Sequence, residues 1–448
     1  MIVTKFGGTS LSTVSRVKTL REIIKGKLAR KPIVVVSAVG GITDLLIAAF
    51  ARNRNSTLRE IRRVHKDLAS DLFKGDELVD VCLYIDSKLA EIEKLLGRAG
   101  REKSDLDRVL ATGEVISSYI VARFLKRSGI RAEQVVANDL IVTDNNFGAA
   151  EFLPGPTVTK VRKILKPLIS GGVVPVVTGY IGSTKSGEIT TLGRGGSDYS
   201  AAIIGFCLRA SEIQIWTDVD GIFTADPKIV KRARVIAQVS FKEASELAAF
   251  GAKVLHPRSI RPAVKAGIPV RVLNTLNPKS AGTLILDKPD LKNPITAVSY
   301  KRKITLVNIY STAMLFSKGF LARIFAVFAN SNISIDLVSV SEVSVSVTLE
   351  DGEDLNKVTS KLSEFAQVTV NRNLGMVSLI GEGIVTSSLS IKKIFEILDR
   401  QRILVKMVSL GATDINVSLV VQYDQVEQAV RVLHNKLLVK KMNVGGKS

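Results

Sequence analysis

Along the first part of the 448-residue chain, short apolar runs alternate with stretches in which apolar positions return every three or four residues. Ile2–Phe6 is the first run, and in Ser12–Lys25 the residues Val14, Val17, Leu20 and Ile24 share one helical face. Pro32–Ser37 is almost wholly apolar, which predicts a central strand covered on both faces. The alternation continues with helices over 105–126, 158–169, Ser197–Leu208, Lys242–Phe250 and Ser259–Lys265. Between them lie strands near Gln134–Ala137, Val173–Thr178, Glu212–Trp216 and Pro269–Leu273. This rhythm predicts an α/β fold with a mainly parallel sheet sandwiched by helices. Residues 51–110 break it with mixed charge and helical periodicity, predicting a helical excursion off the sheet, either a substrate lid or a solvated helix pair.

Turn-rich Asn277–Ser280 and Asp287–Pro294 mark a boundary, and the pattern then changes. Two similar cassettes follow, each strand–helix–strand–strand–helix, at roughly 70 residues per copy. The first runs through Ile304–Tyr310, Phe320–Asn330, Ile333–Val340, Val343–Leu349 and Asp354–Phe365, with a further strand at Val368–Val370. The second runs through Met376–Ile380, Leu389–Asp399, Ile403–Ser409, Ile415–Val421 and Gln425–Leu438. It lacks a closing strand, because Val439–Met442 is short and basic, and the extra strand Ala297–Arg302 is expected to complete its sheet.

Composition narrows the class. The apolar fraction of 46% and charged fraction of 23% are those of a globular protein, and no apolar run reaches the roughly 20 residues of a membrane span. With no leader-like start, a cytoplasmic protein is expected. Cys82 and Cys207 sit in apolar surroundings, and His65, His256 and His434 are far apart, so neither a disulfide nor a metal motif is read. The 63 basic and 42 acidic residues leave a net charge of +21. Such a balance can mean nucleic-acid or membrane-surface contact or attraction of anionic substrates; the positives are scattered without interleaved aromatics, and nucleic acid is not an expected partner.

Candidate chemistry lies where strands end. The stretch Lys5-Phe6-Gly7-Gly8-Thr9-Ser10 closes the first strand with two glycines and two hydroxyls. Such an end is either a phosphate-binding turn, with free N–H groups and a lysine point charge, or an ordinary tight turn. Similar turns close later strands at Ser37–Gly41, Gly179–Gly182 and Leu192–Asp198, and strand ends along one edge of a parallel sheet face one crevice. No G-x-x-x-x-G-K-[ST], no G-x-G-x-x-G opening a βαβ unit and no kinase H-R-D or D-F-G set is present; the terminal Gly445–Ser448 only imitates the first.

Taken in order, Lys5–Ser10, a Thr112-Gly113-Glu114 turn, Leu192–Asp198, Trp216–Pro227 and Phe250–Pro257 closely resemble aspartokinases, and the cassettes resemble that family's paired ACT domains. The resemblance spans essentially the whole chain. It implies an amino-acid kinase three-layer sandwich over 1–290, then two ferredoxin-like ACT domains over 297–373 and 374–448, the second completed by 297–302. It further implies transfer of the γ-phosphoryl group of Mg-ATP to the side-chain carboxylate of L-aspartate, the first step toward lysine, threonine and methionine.

By the same resemblance, Lys5 and Asp198 are the catalytic residues, Lys5 neutralising the transferring phosphoryl and Asp198 orienting it. Asp198 could equally serve as a helix N-cap. Arg194 would grip the α-carboxylate of aspartate, Glu114 would accept its ammonium, and Ser37, Thr43 and Ser197 would add hydroxyl contacts. ATP would meet Lys5, Gly7, Gly8, Ser10, Thr217, Asp218, Phe223, Lys228, Lys253 and Val254. Phe223 stands where the family often has tyrosine and Lys228 where arginine is frequent. No protein metal site is implied, so Mg2+ would arrive with the nucleotide.

An end-product amino acid, lysine first among the candidates, would bind at Met314, Ser317, Gly319, Phe320, Leu321, Asp336, Ser341 and Glu342. Phe316 replaces a more usual histidine beside that set. Paired cassettes imply a homodimer or larger homo-oligomer. A relative acting on another acid and a catalytically silent sensor are the competing readings; the cassettes with Thr112–Glu114 weigh against the first, and intact Lys5, Arg194 and Asp198 against the second.

Overall fold

A computed structural model describes the chain except residues 52–53, 252–254, 291–292, 386–387, 412–413 and 440–448. The order up to residue 286 is β1 (Ile2–Phe6), α1 (Val14–Lys25), β2 (Pro32–Val36), α2 (Ile42–Ala51), α3 (Arg54–Leu72), α4 (Asp76–Leu96), α5 (Lys103–Arg127), β3 (Ala132–Val135) and α6 (Pro154–Ser170). Then follow β4 (Val174–Thr178), β5 (Ile181–Ser183), β6 (Ile189–Thr191), α7 (Gly196–Leu208), β7 (Glu212–Thr217), β8 (Gln238–Ser240), α8 (Phe241–Ala249), α9 (Arg261–Ala266), β9 (Val270–Asn274) and β10 (Thr283–Leu286).

Eight of these strands form one sheet in the order β3-β4-β2-β1-β7-β9-β10-β8. All its pairings are parallel except β9 with β10. β1 lies between β2 and β7, with Lys5 level with Val35 and Ile215. Both faces are covered. One carries the cluster that joins Phe6, Val34 and Trp216 to α1–α5; on the other, α7 packs on β1 and β2, and α6 on β4. This is the expected sandwich.

Residues 51–110 do not stand off the sheet. Leu58, Ile61, Val81, Ile85 and Leu89 belong to the same core as Phe6 and Val36. Their charges occupy the outer faces of two strongly amphipathic helices, so a high charged fraction coexists with a buried stripe. β5 and β6 form a small antiparallel hairpin over the strand ends, too short to show in the pattern of apolar positions.

The C-terminal strands and helices are β11 (Ala297–Tyr310), α10 (Phe320–Asn330), β12 (Leu337–Val340), β13 (Ser344–Glu350), α11 (Asn356–Ser363), β14 (Gln367–Ile380), α12 (Ser388–Arg400), β15 (Met407–Leu410), β16 (Asn416–Gln422) and α13 (Val426–Leu437). They form one antiparallel six-stranded sheet, β12-β13-β11-β14-β16-β15. Strands expected as separate pieces are continuous: Ala297–Lys301 pairs with Met376–Ile380, and Ile304–Tyr310 with Gln367–Leu374 across a register shift. Each cassette keeps its own core, one around Ile324, Phe328 and Val347, the other around Val377, Leu398 and Leu433.

The chain divides into two compact units. The first comprises Met1–Ile222, Ala237–Ala244 and Val254–Pro289, and the second Phe223–Ile236, Ser245–Lys253 and Asp290–Ser448. In the second, Val298 N–H donates to the Thr224 carbonyl at 2.9 Å, and Ala225, Ile229 and Val230 enter the core of the second cassette.

Candidate active site

β1 ends where the backbone must pass very close to its neighbours. A side chain at Gly8 would place its Cβ 2.7 Å from the Ala38 carbonyl oxygen, so only glycine lets the turns after β1 and β2 lie together. Gly40 N–H donates to Gly8 O at 3.0 Å, and Gly7 N–H to Trp216 O at 3.2 Å. These contacts tie the ends of β1, β2 and β7 along one edge of the sheet.

A cleft of about 440 Å³ opens at that edge. It is lined by Lys5, Ser37, Thr43, Glu114, Arg194, Ser197 and Asp198, which are all the expected catalytic and acceptor-binding residues. The lining also includes Gly193, Gly195 and Gly196 of the same glycine-rich turn, and Gly148 and Tyr180, which had not been singled out. Tyr180 lies inside Gly179–Gly182, one of the strand-end turns read as facing the crevice, so a signal for it existed. Gly148 carries none.

Lys5 Nζ lies 2.7 Å from Asp198 Oδ1, with both side chains 12% exposed. Asp198 is in the first turn of α7, but the N-cap is Gly195, in the left-handed region at φ 70° and without a side-chain cap bond. The carboxylate is thus an ion-pair partner for Lys5 rather than a cap. Helix N-terminus, lysine and carboxylate converge on one wall.

α5 adds Glu114 to the lining. Thr112-Gly113-Glu114 is the middle of this helix and not a turn. Gly113 is there for clearance, since a Cβ would sit 2.8 Å from Ala38 Cβ and 3.2 Å from Ile42 Cγ2. Glu114 is 3% exposed and its Oε2 has no hydrogen-bond partner. Burial pushes its pKa up to about 8, opposed by backbone hydrogen bonds at Ala38 and at Glu114 itself. An unpaired buried carboxyl in a cleft is a receptor for a cation.

Tyr180 adopts φ 69°, a left-handed conformation costing about 1–3 kcal/mol in a non-glycine residue. It is held there by the Ser200 hydroxyl on its N–H at 3.0 Å and by Leu192 N–H on its carbonyl at 2.8 Å. Gly196 makes room for its ring, as a Cβ there would fall 2.5 Å from Tyr180 Cδ2.

The residues expected at the nucleotide divide. Gly7 and Gly8 lie in the turn after β1, beside the cleft-lining Lys5. Ser10 is 2% exposed and its hydroxyl is committed to Thr275 at 2.7 Å, so it braces the turn from behind. Thr217 ends β7 and Asp218 follows it, joined by a 3.3 Å hydrogen bond from Thr217 Oγ1 to Asp218 Oδ1. Phe223 and Lys228 belong to the second unit. Lys253 and Val254 lie outside the described residues.

In the second unit, Met314 ends a short 3-10 turn, Ser317 N–H donates to Met314 O at 3.0 Å, and Gly319 caps α10 at φ 83° with no side-chain bond. The first N–H groups of α10, including that of the half-exposed Leu321, are left for an anion. Phe320 is 8% exposed, its ring packed at 5.5 Å against Phe365, so only its backbone is open to a ligand. Asp336 is paired with Lys301 at 2.8 Å, the Ser341 hydroxyl with that of Ser344 at 2.7 Å, and Glu342 is exposed. Phe316 is 93% exposed on left-handed backbone.

Comparison with known proteins gives this geometry its context. Residues 1–274 match the amino acid kinase family and residues 377–437 the ACT domain. Aspartokinase 1, chloroplastic, of Arabidopsis thaliana is 37% identical over 453 residues, covering 96% of this chain and 79% of the plant protein. The chain belongs to the aspartokinase family. Lysine-sensitive aspartokinase 3 of Escherichia coli K12 is 34% identical, covering 98% of this chain and 99% of its own. The crystal structure of E. coli aspartokinase III with aspartate and ADP superposes with a TM-score of 0.83 at 33% identity, over 98% of this chain and 100% of the other. The complex with lysine and aspartate gives 0.85 over the same shares. As an aspartokinase, the chain is a phosphotransferase with a carboxylate acceptor, built from an amino-acid kinase sandwich and C-terminal ACT-type sheet modules.

Proposed function

We propose that the cleft between α5 and the N-terminus of α7 is where this aspartokinase joins L-aspartate to the γ-phosphoryl group of ATP. The observation that carries the assignment is the convergence of Lys5, Asp198, Arg194 and Glu114 on one cleft. Arg194 suits the α-carboxylate by its bidentate fork, and Glu114 suits the α-ammonium. Ser37, Thr43 and Ser197 supply hydroxyls around the remaining atoms of the acceptor.

The side-chain carboxylate of aspartate is ionised at neutral pH and needs no general base. One of its oxygens forms the new bond to the γ-phosphorus as the bond to the β–γ bridging oxygen breaks, and ADP leaves with that electron pair. The work left to the protein is alignment and charge compensation. Lys5 offsets the charge of the moving phosphoryl, Asp198 holds Lys5 in place, and the N–H groups after Gly7 and Gly195 face the phosphates. Thr217 and Asp218 are assigned to the nucleotide. Among the described residues no group of three or more His, Cys, Asp or Glu is arranged to hold a metal. Magnesium would be held by the nucleotide phosphates, whose charge it would help to neutralise.

We assign feedback control by an end-product amino acid to the turn before α10 with Asp336, Ser341 and Glu342. Lysine is favoured because the E. coli relative is lysine-sensitive. Domain limits of 1–290, 297–373 and 374–448, a homodimer through the ACT modules and a cytoplasmic location complete the proposal; among the described residues no helix is long and apolar enough to cross a membrane.

The test is acyl-phosphate trapping with hydroxylamine in the presence of Mg-ATP. Hydroxamate should form with aspartate, and Lys5→Ala should lower kcat by about 10²-fold or more without loss of helical circular dichroism. Signal with glutamate and none with aspartate would overturn the acceptor assignment.

A further inference from the structure

Helix α5 does more than present Glu114. Two turns before it, on the same face, stands Asp107, a carboxylate that is 0% exposed and that forms no salt bridge among the described residues. It is satisfied by three donors. Gly148 N–H donates to Oδ2 at 2.9 Å, Thr191 N–H to the same oxygen at 2.7 Å, and the Thr191 hydroxyl to Oδ1 at 2.8 Å. Hydrogen bonds to an ionised acceptor are short and strong, and a buried one left unmade is costly.

Both partners belong to the cleft wall. Gly148 lines it directly, and Thr191 ends β6 three residues before Arg194. The two segments are also in contact with each other, since a Cβ on Gly193 would lie 3.1 Å from Gly148 O. Next to Thr191, Leu192 N–H donates at 2.8 Å to the carbonyl of Tyr180, another cleft residue. One turn beyond Glu114, the Ser117 hydroxyl donates to the Ser37 carbonyl at 2.7 Å. A single helix therefore holds three separate pieces of the acceptor wall.

We propose that Asp107 is a positioning residue for the acceptor substrate: through Gly148 and Thr191 it sets where Arg194 and the Gly148 turn meet aspartate. The nucleotide side, reached through β1 and β7, shares none of these bonds. This rests on the reading of the cleft as the aspartate site, and it adds a residue outside the cleft lining to that reading.

The test compares Asp107→Ala, Asp107→Asn and Thr191→Val with the unaltered enzyme in the hydroxylamine assay, varying aspartate and ATP separately. Asp107→Ala should raise KM for aspartate roughly tenfold while KM for ATP stays within about twofold. Asp107→Asn keeps an oxygen for the two N–H donors and should recover most of that loss. Thr191→Val removes only the hydroxyl and should give a smaller rise of the same selectivity, which decides the matter if Asp107→Ala does not fold. Equal changes in both KM values, or none in any variant, would overturn the proposal while leaving the aspartate reading intact. An unaltered enzyme that makes no aspartyl hydroxamate would overturn both.

Discussion

Glu114 shows how much a single buried side chain decides at the residue scale. Its pKa of about 8 means the empty site holds a neutral carboxyl at pH 7, whereas the ammonium of aspartate pairs with the ionised form. Binding must then expel a proton. KM for aspartate should rise about fivefold as pH falls from 8 to 7, approach tenfold per unit below that, and level off above 8, with KM for ATP unaffected. Steady-state kinetics across that range check it. The same shift has a cost for folding. The native state keeps a proton that the unfolded chain gives up near pH 4.5, so this group's contribution is fullest below 4.5 and is lost as pH rises toward 8. Glu114→Gln should therefore stabilise the ligand-free protein at pH 7 by on the order of 3 kcal/mol in urea denaturation while weakening aspartate binding. Residue identities at the site were legible because lysine, arginine and carboxylates carry chemistry in their type. For Ser10 the sequence is silent about direction: a hydroxyl beside a phosphate turn reads as a ligand, and only the structure shows its 2.7 Å bond to Thr275.

Elements were legible where their apolar period was long. β1, β2, α1 and α7 fall within two residues of expectation, as the fully buried strands and one-faced helices should. Thr112–Glu114 looked like a turn because glycine usually marks one, yet here it allows two helices to touch. The β5–β6 hairpin left no local pattern because its strands are three residues each, and the clamp from α5 left none because its bonds join residues 41 and 84 positions apart. Gly179 tests how tightly strand end and helix start are joined. A Cβ there would lie 2.6 Å from Ser197 Cβ and 2.9 Å from Val36 O, with backbone on one side and α7 on the other. Gly179→Ala should cost about 1–3 kcal/mol in thermal or urea unfolding, and should depress kcat with aspartate by displacing Ser197 and Asp198.

Over the whole molecule, one sheet carries the chemistry and the other the proposed control. The second unit takes in segment 223–236, so the stretch holding Phe223 and Lys228 is built on the core of the second cassette. If the cassettes sense lysine, millimolar lysine should slow hydroxamate formation. No response to lysine, threonine or both together would leave them as assembly modules. The charge of +21 is a separate property of the whole surface; scattered as it is, it favours anionic substrates without marking a site.

What the sequence determined by itself is local and repetitive: the alternation of strand and helix, the doubled cassette, the glycine turns and the charged residues at strand ends. These follow from the side-chain period and from residue chemistry, which act over a few positions. The tertiary structure alone decided which of those ends share a cleft, that Asp198 faces Lys5 rather than capping its helix, and that Asp107 ties the acceptor wall together. Such contacts join residues far apart in the chain, and no local pattern encodes their partners.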